Sequence, residues 1–345
     1  METFLGVDYP TLWYFVVGLL FSGYAILEGF DYGAGAWHIF FRKDLSRRIS
    51  INAIGPLWDA NQVWLIIGGG ALFAGFPVMY ATMLSTMYIP FMLFLMLLVL
   101  RSAAIKFRSA EEMKWWRKTW DILYFTSNTL IAFLLGVVLG NILQGFEIGE
   151  NYSYRGGIFF SFLSPYAIMV GLTTLSIFMT QGAIFLLLKT EGRLHARLTF
   201  LLKRGMIFFI ISFAVTSLYT LIFIHGVTDK FKEQPLFFVL PVLAFLAVAN
   251  VPRLVSKKKY AQALVFSSLT MAFLLMLVAF QLYPVLLPST IDPAYSVTIY
   301  NAASSQKSLG IMLTIVVIGA PLLAGYFLFL YKTFHGKVKL DDTSY

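Results

Sequence analysis

Residues 27–64 read LEGFDYGAGAWHIFFRKDLSRRISINAIGPLWDANQVW. Two apolar segments flank a short basic loop, and both carry acids: Glu28 and Asp31 in the first, Asp59 in the second. If these segments cross a membrane, each acid costs roughly 2.5–3.5 kcal/mol on insertion scales, and an ionisable group retained at that cost points to function. The question is therefore whether the rest of the chain is a membrane bundle.

Composition says that it is. The chain has 345 residues, of which 59% are hydrophobic and 12% charged, against about 25% charged in soluble domains. Its apolar runs reach the roughly 20 residues that a helix needs to span hydrocarbon. They lack the two-residue alternation of a membrane barrel, so helices must satisfy the backbone. The expected fold is an all-α, polytopic membrane helix bundle, with residues 1–345 as a single integral-membrane domain. Nine spans are expected, near 11–38, 51–75, 77–101, 119–143, 162–188, 205–226, 235–252, 260–287 and 308–332. Neither an internal repeat nor a broken helix is evident. The stretch before Arg42 has no basic residue, so it lacks the positive n-region of a cleaved signal, and the first helix is expected to be retained. The polar tail from Asp341 to Tyr345 is expected to be mobile.

The placement of positive charge tests this frame, because cytoplasmic loops collect Lys and Arg. With the N-terminus outside and the C-terminus cytoplasmic, only Arg155, Lys230, Lys232 and Lys307 of the 26 Lys and Arg fall outside. Omitting one span would invert every later loop and destroy the asymmetry. The net charge of +9 thus belongs to topology, and nucleic acid is not an expected partner. The chain has no cysteine, which excludes disulfides, thiolate-bound zinc and iron–sulfur ligation.

Depth can be read next. Glu28 and Asp31 lie 14 and 11 residues before Arg42, roughly 15–20 Å above the basic loop at 1.5 Å per residue. Counted from residue 51, Asp59 lies about 12 Å into the second helix. The three acids should therefore share the inner half, with Glu28 and Asp31 on one face by their i, i+3 spacing. They are expected to line one water-filled crevice open to the cytoplasm, where carboxyl groups can take up and pass on protons. The alternative is a polar knot that locks two helices together. Arg101, at the expected inner end of the third span, is the one nearby cation, and it could equally snorkel to the interface. Pro56 lacks an N–H and should kink the second helix just before Asp59.

Other residues suggest packing. Gly29, Gly33 and Gly35, then Gly68, Gly69 and Gly70, are expected where helices approach closely. Asn61, Gln62, Asn128, Asn141, Gln144, Gln181 and Gln281 are expected to hydrogen-bond between helices. Trp58 and Trp64 flank the Asp59 turn on different faces, so one could meet a partner subunit or lipid. The four histidines, His38, His195, His225 and His335, fall at or beyond the membrane ends. Scattered Met is ordinarily packing material. The chain is therefore not expected to hold a metal or redox-active haem by itself.

The segments LEGFDYGAG, GPLWDANQVWLI, GGGALFAGFP, GNILQG, TQGA, VFSSLT and LPST together resemble subunit II of the cytochrome bd-type quinol oxidases, including the related cyanide-insensitive branch. The resemblance covers nearly the whole chain. It implies a complex in the prokaryotic cytoplasmic membrane that oxidises quinol, reduces oxygen to water and draws protons from the cytoplasm. It implies haem b and haem d held by subunit I, the heterodimer partner, with room for a small single-helix subunit and for quinone or lipid contacts. It places Asp59 where the family has the acid of a proton pathway, Glu28 where many members have Asp, and Arg101 near the same pathway. Trp64 matches a tryptophan near an oxygen route in some members. No catalytic residue is implied in this chain itself. A proton-coupled secondary transporter and a purely structural scaffold remain competing readings of the acids.

Overall fold

The computed structural model describes residues 3, 4, 6–157, 159–224 and 229–340. His225 and the tail Asp341 to Tyr345 lie outside the described residues.

Helices dominate, and their starts are chemically marked. Helix α1, Tyr9–Trp37, begins with Pro10 in its first turn and is capped by Asp8, whose carboxylate accepts from the Thr11 N–H at 3.0 Å. This satisfies one of the amide donors left open at a helix start. A short pairing of β1 (Thr3–Phe4) with β2 (Val7–Asp8) precedes it. Helix α2, Asp44–Ile54, is followed by α3, Trp58–Gly75, and α4, Pro77–Thr86. Next come α5, Tyr88–Phe107, and α6, Lys114–Gln144. Helix α7, Pro165–Lys189, starts as α1 does, with Ser164 capping the Ala167 N–H. Helix α8 spans Gly192–Phe223, and the five-residue α9 spans Asp229–Glu233. Helices α10 (Val239–Ser256), α11 (Tyr260–Leu282) and α12 (Gln306–Thr333) complete the bundle. Between the last two lies a small antiparallel pair, β3 (Val285–Leu287) and β4 (Val297–Thr298).

Eight helices are long and apolar enough to span a bilayer, and α3 with α4 makes a ninth if the bent pair counts as one span. Two expected spans differ in detail. The second does not run from residue 51: Gly55, Pro56 and Leu57 separate α2 from α3, so the kink expected at Pro56 is a complete break. The third does not start at Pro77. Helix α4 turns away from α3 by 116° at Phe76, and the crossing helix α5 begins eleven residues later, at Tyr88. The expectation of unbroken helices fails at both points, because Pro and Gly interrupt the backbone ladder without interrupting the apolar composition.

Helix α7 is the axis, packed against α1, α6, α8 and α11. Its contact with α1 is backbone to backbone. A methyl group on Gly33 would lie 1.7 Å from the Phe178 carbonyl oxygen, and one on Gly182 would lie 2.3 Å from the Ala34 nitrogen. Neither neighbour is a side chain that can swing aside. Gly33→Ala should therefore force α1 and α7 apart, lowering the yield of folded protein severalfold in membrane extracts. A variant with the parent yield and melting temperature would show that the helices can part without cost. Gly29 and Gly35 also face neighbours closely, the Phe178 ring and the Asn128 side chain. The expected role of Gly68, Gly69 and Gly70 is only partly met: Gly68 makes ordinary contact with Phe21, whereas Gly69 and Gly70 have nothing within 4 Å, because that stretch of α3 faces away from the bundle.

On the expected outer side, Lys230 closes the C-terminus of α11 by donating to the carbonyls of Phe280 (3.4 Å), Gln281 (2.6 Å) and Tyr283. These are the acceptors that a helix end leaves open. Burial pushes the Lys230 ammonium below its ordinary pKa.

Candidate functional site

The site follows from where α5 begins. Because the crossing helix is Tyr88–Phe107, Arg101 lies six residues before its end, about 9 Å inside. That is too deep to snorkel, and Arg101 is fully buried. Its Nη1 pairs with Glu28 Oε2 at 2.9 Å, and its Nη2 lies 3.9 Å from Asp31 Oδ2. Both acids are also fully buried. The guanidinium sits over the Tyr32 ring, 4.5 Å from its centre, and 5.8 Å from that of Trp58.

Two more helices close the site. Asn61 of α3 donates through Nδ2 to Asp31 Oδ2 at 2.9 Å, and its Oδ1 accepts from the Tyr331 hydroxyl of α12 at 2.9 Å. On α1, Tyr24, Glu28 and Tyr32 follow one another at i, i+4, i+8 on one face, and the two hydroxyls lie 2.6 Å apart. Asp31 Oδ1, Arg101 Nε and the Tyr124 hydroxyl are buried without a hydrogen-bond partner among the described residues.

Charge counting indicates what such a cluster can do. Two carboxyls face one guanidinium, so the sealed group is neutral when it holds one proton and carries a net negative charge when it releases it. In a low-dielectric interior, that difference is expensive. Two buried carboxyls sharing one guanidinium therefore favour the state in which the cluster keeps one proton.

Asp59 is placed differently from expectation. The three acids do not line one crevice: Glu28 and Asp31 are enclosed, whereas Asp59 lies on an exposed surface. Since α3 starts at Trp58, Asp59 occupies its first turn, where the helix dipole favours negative charge, rather than a site 12 Å inside. It is still close enough to Glu28 for the two charges to interact. Trp58 is buried beside Arg101. Trp64 packs inside the chain, on Gly23 of α1 and on Phe327 of α12 at 5.6 Å.

A second polar cluster, not anticipated as a unit, lies where α1, α2, α5 and α6 converge. The buried Asp121 carboxylate pairs with His38 Nε2 (2.5 Å), Arg108 Nε (2.5 Å) and Arg47 Nη1 (2.8 Å). Asp44 then bridges Arg108 (2.6 Å) and Arg117 (3.1 Å). Burial opposes charge on the Arg108 guanidinium, but its bonds to Asp121 and Asp44 prevail and hold its pKa above the ordinary arginine value. The His38 ring stands edge-on to Tyr124, 4.9 Å between centres. The only advance signal was four basic residues beside a loop acid, which is a common surface pattern.

Of the interhelical amides expected, Asn61 and Gln181 do bridge helices, Gln181 through Ile26 O and Ser268 Oγ. Asn128 instead donates to the Tyr124 carbonyl of its own helix. Both His38 and His195 lend a ring nitrogen to protein partners, Asp121 and the Thr190 carbonyl. No group of three or more His, Cys, Asp or Glu suited to a metal ion occurs among the described residues.

Comparisons with known proteins agree with this architecture. Residues 9–334 match the family model described as cytochrome bd terminal oxidase subunit II. The chain is 32% identical to cytochrome bd-I ubiquinol oxidase subunit 2 of Escherichia coli K12, covering 97% of each chain. It is 33% identical to cytochrome bd ubiquinol oxidase subunit 2 of Bacillus subtilis 168, covering 95% of this chain and 96% of that one. Its fold is similar to a chain of the bd oxidase structure from Geobacillus thermodenitrificans, with a TM-score of 0.77 and 20% identity, over 94% of this chain and 98% of that one.

Proposed function

The chain belongs to the cytochrome bd terminal oxidase subunit II family, and from that premise we propose that it feeds protons from the cytoplasm to a haem-bearing partner subunit. It is a multi-pass membrane component of a quinol oxidase complex that contains haem. In this proposal subunit I holds haem b and haem d, and the complex sits in the prokaryotic cytoplasmic membrane with the N-terminus of this chain outside. No step of the chemistry at haem is assigned to residues of this chain.

The observation that carries the reading is the sealed Glu28–Asp31–Arg101 cluster next to the exposed Asp59. A purely structural ion pair needs one acid per base. Here the second acid gives the site one exchangeable proton, and Asp59 supplies an exposed donor beside it. Asp59 collects a proton, Glu28 and Asp31 hold it next to Arg101, and Asn61 fixes the Asp31 carboxyl through its bond to Tyr331. Trp58 covers the guanidinium and limits water around it.

Asp59→Asn tests this directly. The variant complex should assemble with normal haem absorbance, while quinol-driven oxygen consumption falls roughly tenfold or more. Undiminished turnover would remove Asp59 from the route. Purification without any haem-bearing partner, together with solute exchange by the chain alone, would support a transporter instead.

A further inference from the structure

A cleft of about 420 Å³ opens at the inner end of the α10–α11 hairpin. Three cations line it: Arg253 and Lys257 from α10 and its end, and Lys259 from the turn. No acidic residue occurs between Glu233 and Asp292, and none of the three cations is ion-paired among the described residues. The cleft therefore concentrates positive charge without an internal counter-ion.

Its framework is fixed. The Lys258 N–H bonds to Val255 O and the Lys259 N–H to Leu254 O, each at 3.0 Å, which folds the turn back on α10. Helix α11 starts at Tyr260, so its positive end lies beside the cleft and adds to the attraction for an anion. The amides of Asn250 on α10 and Gln262 on α11 supply neutral hydrogen-bonding groups in the lining.

The other half of the argument is apolar. Val265 and Phe266 extend the cleft toward the membrane interior. Beyond them, Leu243 and Leu246 on α10 and Leu269 on α11 are exposed, at helical spacings that continue the two walls. A free anion would use only the charged end. A molecule with an anionic head and hydrocarbon chains would use all of it, and basic pockets between helices at the cytoplasmic face suit such head groups.

We propose that the α10–α11 cleft is a binding site for one anionic phospholipid, its phosphate held by Arg253, Lys257 and Lys259 and its chains laid along α10 and α11. Basic residues at this membrane face also follow from topology alone, so the test must separate the cleft from a merely basic surface. The chain is purified with its partner subunit, delipidated, and titrated with phosphatidylglycerol, phosphatidylcholine and inorganic phosphate, with occupancy read by native mass spectrometry. Two variants are compared: Arg253→Gln/Lys257→Gln/Lys259→Gln, which removes charge, and Val265→Trp, which fills the cleft and keeps it. Both should lose one phosphatidylglycerol per complex, with affinity reduced at least tenfold, and phosphatidylcholine binding should not change. Equal phosphatidylglycerol occupancy in the parent and both variants would overturn the proposal. So would retention in Val265→Trp alone, which would leave only a basic surface, or displacement by millimolar inorganic phosphate, which would make it a free-anion site.

Discussion

Arg101→Gln should cost the folded chain about 3–5 kcal/mol, because it leaves two buried carboxyls without their cation. At that magnitude assembled complex should be nearly absent from membranes, read as lost haem absorbance and lost subunit on blots. The charge count makes the prediction sharper. Adding Glu28→Gln removes one stranded acid, so the double variant should recover part of the yield that the single variant loses. Strong coupling of this kind is expected of groups in direct contact, and Arg101 and Glu28 are 2.9 Å apart. Normal yield in Arg101→Gln alone would mean that the guanidinium does not balance the acids.

Asp31→Asn should do the opposite: keep the fold and stop the function. The substitution leaves Glu28 and Arg101 as a balanced pair, and Asn can still meet Asn61 through a side-chain amide. What it removes is the second carboxyl, and with it the exchangeable proton. Quinol-driven oxygen consumption should fall by about 10²-fold, the lower end of what positioned proton-transfer groups contribute, with haem content and melting temperature unchanged. Activity near the parent level would show that Glu28 alone suffices, and that Asp31 serves only to position Asn61 and Tyr331.

The contrast between these variants shows how far the amino-acid sequence could be read. Intramembrane acids announce themselves by cost, so Glu28 and Asp31 were visible at once. The nine-span frame came from hydropathy and the one-sided Lys and Arg. Arg101 was visible but misplaced, and the cause is specific. The run from Pro77 to Leu100 contains no charged residue, so hydropathy cannot register the break at Met87. Shifting the crossing helix from residues 77–101 to Tyr88–Phe107 moves its inner end six residues past Arg101 and carries Arg101 from the interface into the interior. The same kind of shift, from residue 51 to Trp58, moved Asp59 from the middle of a helix to its exposed first turn. Asn61 and Tyr331 could not be paired in advance, since they are 270 positions apart and meet only through the packing of α1, α3 and α12.

That last contact has a consequence in time. Ribosomes deliver α1 with its two acids first, α3 with Asn61 soon after and α5 with Arg101 next, whereas Tyr331 arrives only with the final helix. Until then the Asn61 carbonyl lacks the hydroxyl it accepts from, and that side of the acid cluster stays uncovered. A chain cut short before α12 would thus leave the Asn61 carbonyl without its Tyr331 partner. The Tyr331–Asn61 hydrogen bond makes the cover over Asp31 depend on two segments that are made far apart in time.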